Sequence, residues 1–143
     1  MRTWQLNGYS IKELNIEDRP VPKINNKNDV LIKMQSASLN FRDLIMINGG
    51  YGPTGGNIPF VPISDGAGVV TEIGDSVSKF SKGDIVTIPF FKDWDSGDIK
   101  QNTYLSALGG LENGVMQELS LIHISEPTRL LSIGDAGLWV KKK

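Results

Sequence analysis

Short runs of alternating apolar and polar residues dominate the first 118 positions of the chain. The clearest run covers residues 29–39, where Val30, Ile32 and Met34 recur at every second position. This period of two is typical of a β-strand, here with both faces partly apolar. Shorter signals of the same kind predict further strands, at residues 1–6, 9–16, 64–74 and 85–88, with one more beginning near residue 115.

A helical period appears only at residues 40–49. Asn40 suits the N-cap position, and Asp43 falls in the first turn, where a negative charge is stabilised. Gly49 follows the last periodic residues and ends the helix after about two turns. No segment has the length of a helix that connects parallel strands. The fold class is therefore predicted to be mainly β.

Turn residues separate the predicted strands. Asn7-Gly8 favours a tight type I′ hairpin turn, and Gly83 lies in a second predicted turn. Residues 49–62 and 90–113 are predicted to be loops, because they combine glycine, proline and polar residues without a period.

Composition narrows the function classes. The 143 residues contain no cysteine and one histidine, His123, and their formal net charge is −1. The chain therefore has no disulfide and no cysteine-based zinc site. Its balanced charge argues against nucleic acid as a partner. No apolar run approaches the roughly 18 residues of a membrane helix, and no signal-peptide pattern is present, so we expect a cytoplasmic protein without a membrane partner.

The chain changes character after Glu118. Residues 119–129, LSLIHISEPTR, resemble the translation of an adapter used to prepare sequencing libraries, and the final three lysines match a translated A-rich stretch. We therefore predict that residues 119–143 are a non-native tail and leave them out of the fold. The alternative is a natural segment with a strand at residues 121–124.

Several motifs, in their order and spacing, resemble the medium-chain dehydrogenase/reductase family. They are SLNFRD at residues 38–43, DGAG at 65–68 with two valines after it, KGD at 82–84, and the glycines at 109, 110 and 114. The resemblance covers essentially all of residues 1–118 and is to the N-terminal, GroES-like domain. It implies a partly open β-barrel with short helices, near the zinc-independent, quinone oxidoreductase-like branch.

The resemblance also implies that no zinc is bound. Zinc-dependent members of the family have a cysteine where this chain has Asn40, and a His-Glu pair where it has Ser64-Asp65. They also carry a lobe with four cysteines for structural zinc, which is absent here. Amide and hydroxyl groups are poor substitutes for such ligands.

In zinc-independent members, hydride passes directly between the nicotinamide and a carbonyl or conjugated alkene. The resemblance assigns Asn40, Phe41 and Arg42 to cofactor binding, with Phe41 as an apolar wall, and Tyr51 to substrate binding. Each has an alternative role in the fold. Asn40 suits a helix cap, Arg42 a solvated side chain or a partner of an aspartate (Asp43 or Asp65), and the aromatic residues ordinary core positions.

The family's nucleotide-binding domain carries a G-x-G-x-x-G motif between a strand and a helix, and no such segment occurs here. We expect this chain to be the truncated substrate-side domain of an oxidoreductase, inactive by itself. The parent protein would use NAD or NADP, act on a small carbonyl or quinone-like compound, and form a homodimer. The alternative is a free-standing GroES-like module with a binding or structural role.

Overall fold

The structure is a computed structural model that describes residues 1–52, 55–94, 98–123 and 131–132. Its one α-helix within these ranges is α1 (Phe41–Ile47), and 3-10 helices span Ile11–Glu13 and Gln101–Ser106. The strands that it describes are β1 (Arg2–Leu6), β2 (Leu14–Asp18), β3 (Asp29–Ser38), β4 (Asp65–Ile73), β5 (Ile85–Ile88), β6 (Leu119–His123) and β7 (Leu131–Ser132).

The strands form two antiparallel sheets. β1 and β2 make a two-stranded ribbon, and the other five strands lie in the order β6-β3-β4-β5-β7. The prediction of a mainly β fold is confirmed. Over the described part of the chain, the two sheets do not join into a closed barrel.

The alternation in β3 becomes burial in the sheet. Val30 and Ile32 are fully buried, and they belong to the main core between the sheet and the loops that cover it. A second, smaller cluster packs α1 against the end of β1 and the loop before β4, through Leu6, Met46, Ile47 and Phe60. This second cluster fixes the position of the helix, and therefore of the residues at its start.

The DGAG motif lies in β4, within the strand predicted over residues 64–74. A Cβ on Gly68 would collide with the Lys33 carbonyl oxygen of β3, and one on Gly66 would lie 2.6 Å from the Met34 side chain. These glycines therefore allow β3 and β4 to approach closely beside a register shift in the pair. Gly83 does occupy a turn, with φ of 96°.

The predicted two-residue hairpin after β1 was also wrong. The strands do pair, with Leu6 opposite Leu14, but residues 7–13 connect them. Gly8 lacks the left-handed conformation that a type I′ turn requires. Instead, the Ser10 side chain accepts a hydrogen bond from the Lys12 N–H and caps a 3-10 turn.

Residues 119–123 form β6, so leaving them out of the fold was wrong. They pair with β3 over five positions, and Ile122 joins the main core. The edge of β3 offers unpaired N–H and C=O groups, and the backbone of residues 119–123 pairs with them. The non-native origin of residues 119–143 stays a prediction, and residues 124–130 and 133–143 lie outside the described residues.

A buried carboxylate fastens β6 to β3. Asp29 Oδ1 lies 3.0 Å from His123 Nδ1, and Oδ2 accepts hydrogen bonds from the N–H groups of Asn25 and Asn26. Burial by itself raises the pKa of Asp29, but the hydrogen bonds from His123 and the two backbone N–H groups outweigh it and lower the pKa.

Two predicted boundaries need correction. The strand predicted to begin near residue 115 begins at Leu119, because the segment before it bonds to β1 instead: Met116 accepts a hydrogen bond from the Trp4 N–H at 2.9 Å. Residues 101–106, within a predicted loop, form a 3-10 helix. Tertiary contacts determine both the start of β6 and the 3-10 helix, and the local pattern of apolar residues contains no information about such contacts.

Candidate functional site

The predicted site residues lie where β3 ends, α1 begins and β4 starts. Asn40 is the N-cap of α1, as predicted, and its N–H donates to Asp43 Oδ2 at 2.8 Å. The Asn40 side chain turns to β4, since its Nδ2 donates to Asp65 Oδ2 at 2.6 Å. The hydroxyl of the buried Ser64 donates to the same oxygen at 2.9 Å. Two neutral donors therefore hold the Asp65 carboxylate in place.

This Asn40–Ser64–Asp65 cluster does not fit a zinc ion. It offers one carboxylate, and that carboxylate is hydrogen-bonded to an amide nitrogen, which is a donor and not a metal ligand. Across the described ranges, no group of three His, Cys, Asp or Glu side chains is placed to hold a metal ion.

Arg42 and Tyr51 are brought together by the fold. The Arg42 Nη1 donates to the Leu108 carbonyl oxygen at 3.0 Å. Its guanidinium carbon lies 4.6 Å from the centre of the Phe90 ring and 5.6 Å from that of Tyr51. Cations over aromatic faces are attracted by the ring quadrupole. Arg42 is therefore neither a solvated side chain nor an ion-pair partner of a neighbouring aspartate; within the described chain, no carboxylate lies within 4.0 Å of it.

A cavity of about 400 Å³ opens beside this arginine, and we call it the Arg42 cavity. It is lined by Arg42, Tyr51, Phe90, Phe91, Tyr104, Ala107 and Leu111. The Phe90 and Phe91 rings meet edge to face at 4.5 Å, and Phe91 meets Tyr104 at 5.7 Å in the same way. Phe90 also lines a neighbouring cavity that contains Asp65. The cluster and the Arg42 cavity thus belong to one region of the surface.

Phe41 is placed differently from its predicted partners. It is 77% exposed and is not among the described residues that line either cavity. The aromatic walls come instead from Phe90, Phe91 and Tyr104, which sequence reasoning missed. The Phe90-Phe91 pair, one residue after β5, was a visible signal, whereas Tyr104 lies deep in the segment that was predicted to be loop.

Asp43 is buried beneath this region, with 3% of its surface exposed. Its Oδ1 has no hydrogen-bond partner among the described residues. Burial raises its pKa, although the hydrogen bond from the Asn40 N–H and the charge of Arg42 act in the opposite direction. Asp43 therefore holds the start of the helix at an electrostatic cost.

Comparison with known proteins identifies the domain. Residues 26–131 match the alcohol dehydrogenase GroES-like domain. The chain belongs to this family, and is an N-terminal domain of the medium-chain dehydrogenase/reductase type. The family match runs past residue 118 and includes β6. Among the described helices, none has the length and apolar character needed to cross a membrane.

Relatives within the family are alcohol dehydrogenase-like oxidoreductases. A zinc-type alcohol dehydrogenase-like protein from Schizosaccharomyces pombe is 38% identical over 118 residues, which are 82% of this chain and 33% of that protein. The chloroplastic quinone-oxidoreductase QR1 of Triphysaria versicolor is 38% identical over 92 residues, covering 60% of this chain and 27% of that protein.

The fold is shared with solved structures. A protein assigned as an alcohol dehydrogenase from Sinorhizobium meliloti 1021 superposes with a TM-score of 0.72 at 31% identity, over 85% of this chain and 36% of that one. The chain thus spans about a third of the length of the curated relatives and solved structures it matches.

Proposed function

We propose that this chain is the substrate-side domain of a zinc-independent oxidoreductase that uses NADP or NAD and acts on small carbonyl or quinone-like compounds. The observation that carries the proposal is the Asn40–Ser64–Asp65 cluster beside the Arg42 cavity, within a GroES-like alcohol dehydrogenase domain. The quinone oxidoreductase of Triphysaria versicolor is similar over 60% of this chain, which supports the substrate class.

The absence of zinc is part of the proposal. Several relatives are named zinc-type proteins, so this chain would differ from them in its chemistry. An amide, a hydroxyl and one carboxylate occupy the positions that the family resemblance gives to zinc ligands, and the cluster satisfies itself with hydrogen bonds. The cluster offers a metal ion one carboxylate, whereas a structural or catalytic zinc site has at least three protein ligands.

When bound, the nicotinamide supplies or accepts the hydride. In the proposal, Asn40 and Arg42 bind the cofactor or the substrate oxygen, and Tyr51 contacts the substrate. Phe41 forms an apolar wall of the cofactor site, and its side chain is 77% exposed and so accessible to a cofactor.

The proposal includes several properties of the parent protein. It would be a cytoplasmic homodimer. Residues 1–143 alone would neither catalyse nicotinamide-dependent turnover nor bind NADPH tightly. Calorimetry with NADPH tests the last point directly. Micromolar binding of NADPH to residues 1–143 contradicts the proposal that a separate domain binds the nucleotide.

A chimaera tests the activity. Residues 1–123 replace the matching N-terminal part of the Schizosaccharomyces pombe relative, and oxidation of NADPH and NADH is followed with a naphthoquinone and with small aldehydes. We expect turnover that a zinc chelator does not reduce, and no zinc by elemental analysis. Asn40→Ala should lower kcat/KM roughly tenfold, about 1.4 kcal/mol.

Arg2→Gln is the matched control for the chimaera. Arg2 is exposed and pairs with Glu118 at 2.9 Å, so its loss should leave kcat/KM unchanged. A chimaera that is folded by circular dichroism but inactive, or active only with zinc, contradicts the proposed function.

A further inference from the structure

We infer that the Arg42 cavity binds a planar aromatic or conjugated compound that carries a carboxylate or a similar anionic oxygen group. The inference deepens the proposed function and rests on it, because it names the substrate class of the same site.

Arg42 is the one charged side chain among the described residues that line the cavity. A guanidinium has five N–H donors in a planar fork, and among the described residues Arg42 has one acceptor, the Leu108 carbonyl. That bond uses one donor and leaves further donors for a ligand. A guanidinium prefers a carboxylate or phosphate that accepts two parallel hydrogen bonds.

The nearby acids do not neutralise this charge by direct contact. Asp43 is buried and accepts its hydrogen bond from the Asn40 N–H, while Asp65 is held by Asn40 and Ser64. Neither carboxylate lies within 4.0 Å of the guanidinium. Over the described ranges this half-buried cation has no anionic partner within 4.0 Å, so an anion from outside gains more there than at an exposed arginine.

The walls select a flat ligand. Phe90 and Tyr51 lie beside the guanidinium, and Phe91 and Tyr104 continue the aromatic surface. Aromatic rings prefer edge-to-face or offset contacts, which a planar ligand can make. The volume of about 400 Å³ falls in the range of small-molecule sites, roughly 300–1,000 Å³. Tyr104 is largely exposed, so the cavity is open to solvent.

The test uses residues 1–143 as they stand. 2-Naphthoate and 2-naphthamide have nearly the same shape and differ in charge, and each is titrated by calorimetry at low ionic strength. We expect 2-naphthoate to bind at least about tenfold more tightly. Arg42→Gln should remove this preference and leave the affinity for 2-naphthamide unchanged, whereas Tyr104→Ala should weaken both ligands.

Two further variants distinguish a bidentate arginine contact from a general effect of charge. Arg42→Lys keeps the charge without the planar fork, so it should keep part of the preference for 2-naphthoate. Arg2→Gln makes the same change in net charge far along the chain, beside Glu118, and should keep all of it. Each variant is checked for the native circular dichroism spectrum before titration.

Equal binding of the two ligands, no binding of either, or a preference that survives Arg42→Gln would each overturn the inference. Its failure is distinguishable from failure of the proposed function. A chimaera that reduces a naphthoquinone, together with equal binding of the two ligands, keeps the function and rejects the inference. A clear preference for 2-naphthoate together with an inactive chimaera supports the ligand class of the cavity and rejects the proposed function.

Discussion

Replacing Ile122 by alanine tests whether β6 is part of the packed core. Ile122 is 4% exposed and packs in the main core beside Val30, its partner in β3. The substitution removes three buried carbon atoms, worth about 0.8 kcal/mol each, and leaves a cavity that adds to the cost. Because β6 is an edge strand that can partly collapse, we expect a loss of about 3 kcal/mol in the free energy of unfolding.

The assay is urea denaturation followed by far-ultraviolet circular dichroism. For a chain of this length, about 3 kcal/mol corresponds to a fall in Tm of roughly 10 °C. The matched control is Ile85→Ala, the same substitution in β5 at a side chain that is 51% exposed, and it should cost no more than about 1 kcal/mol.

A loss at Ile122 no larger than that at Ile85 would refute the reasoning and show that β6 does not pack. The comparison also decides between the two treatments of residues 119–143. If they are a passive tail, ending the chain after Glu118 leaves stability unchanged. If β6 is packed as the structure has it, that chain is markedly less stable than one ending after His123.

Three more predictions concern the interior. The pKa of Asp29 is lowered, so its contribution to stability is present above the unfolded-state pKa and is lost as pH falls through the lower, folded-state pKa. Asp29→Asn should therefore be less stable than the native chain at pH 7, and the difference between their urea midpoints should shrink in acid; a difference that stays constant contradicts this. The pKa of Asp43 is raised, so its ionised form destabilises the folded chain above the folded-state pKa, and this cost disappears as pH falls. The stability of Asp43→Asn relative to the native chain should therefore decrease from pH 7 towards pH 4, and an increase would contradict this. Gly68→Ala places a Cβ against the Lys33 carbonyl and should abolish soluble expression or lower Tm far more than Gly83→Ala, where a Cβ meets open space and the cost is backbone strain of about 1 kcal/mol.

Much of the site could be read from local sequence, and part of it could not. The capping position of Asn40 follows from the residues around it, and the structure confirms it. The aromatic wall did not follow, because Tyr104 meets Phe91 across thirteen positions of the chain. For Arg42 the sequence predicts a cofactor contact, with a solvated side chain or an aspartate pair as alternatives, whereas the fold places it against two rings and a distant carbonyl.

The sequence by itself determined the fold class, most of the strands and the short helix, because period and capping are local properties of the chain. It also excluded disulfides and cysteine ligands by composition alone. The tertiary structure decided what depends on contacts between distant segments. It put residues 119–123 into the sheet, the backbone of β3 close against Gly68, and Arg42 in an aromatic cavity, since each outcome depends on contacts between segments that are distant in the sequence.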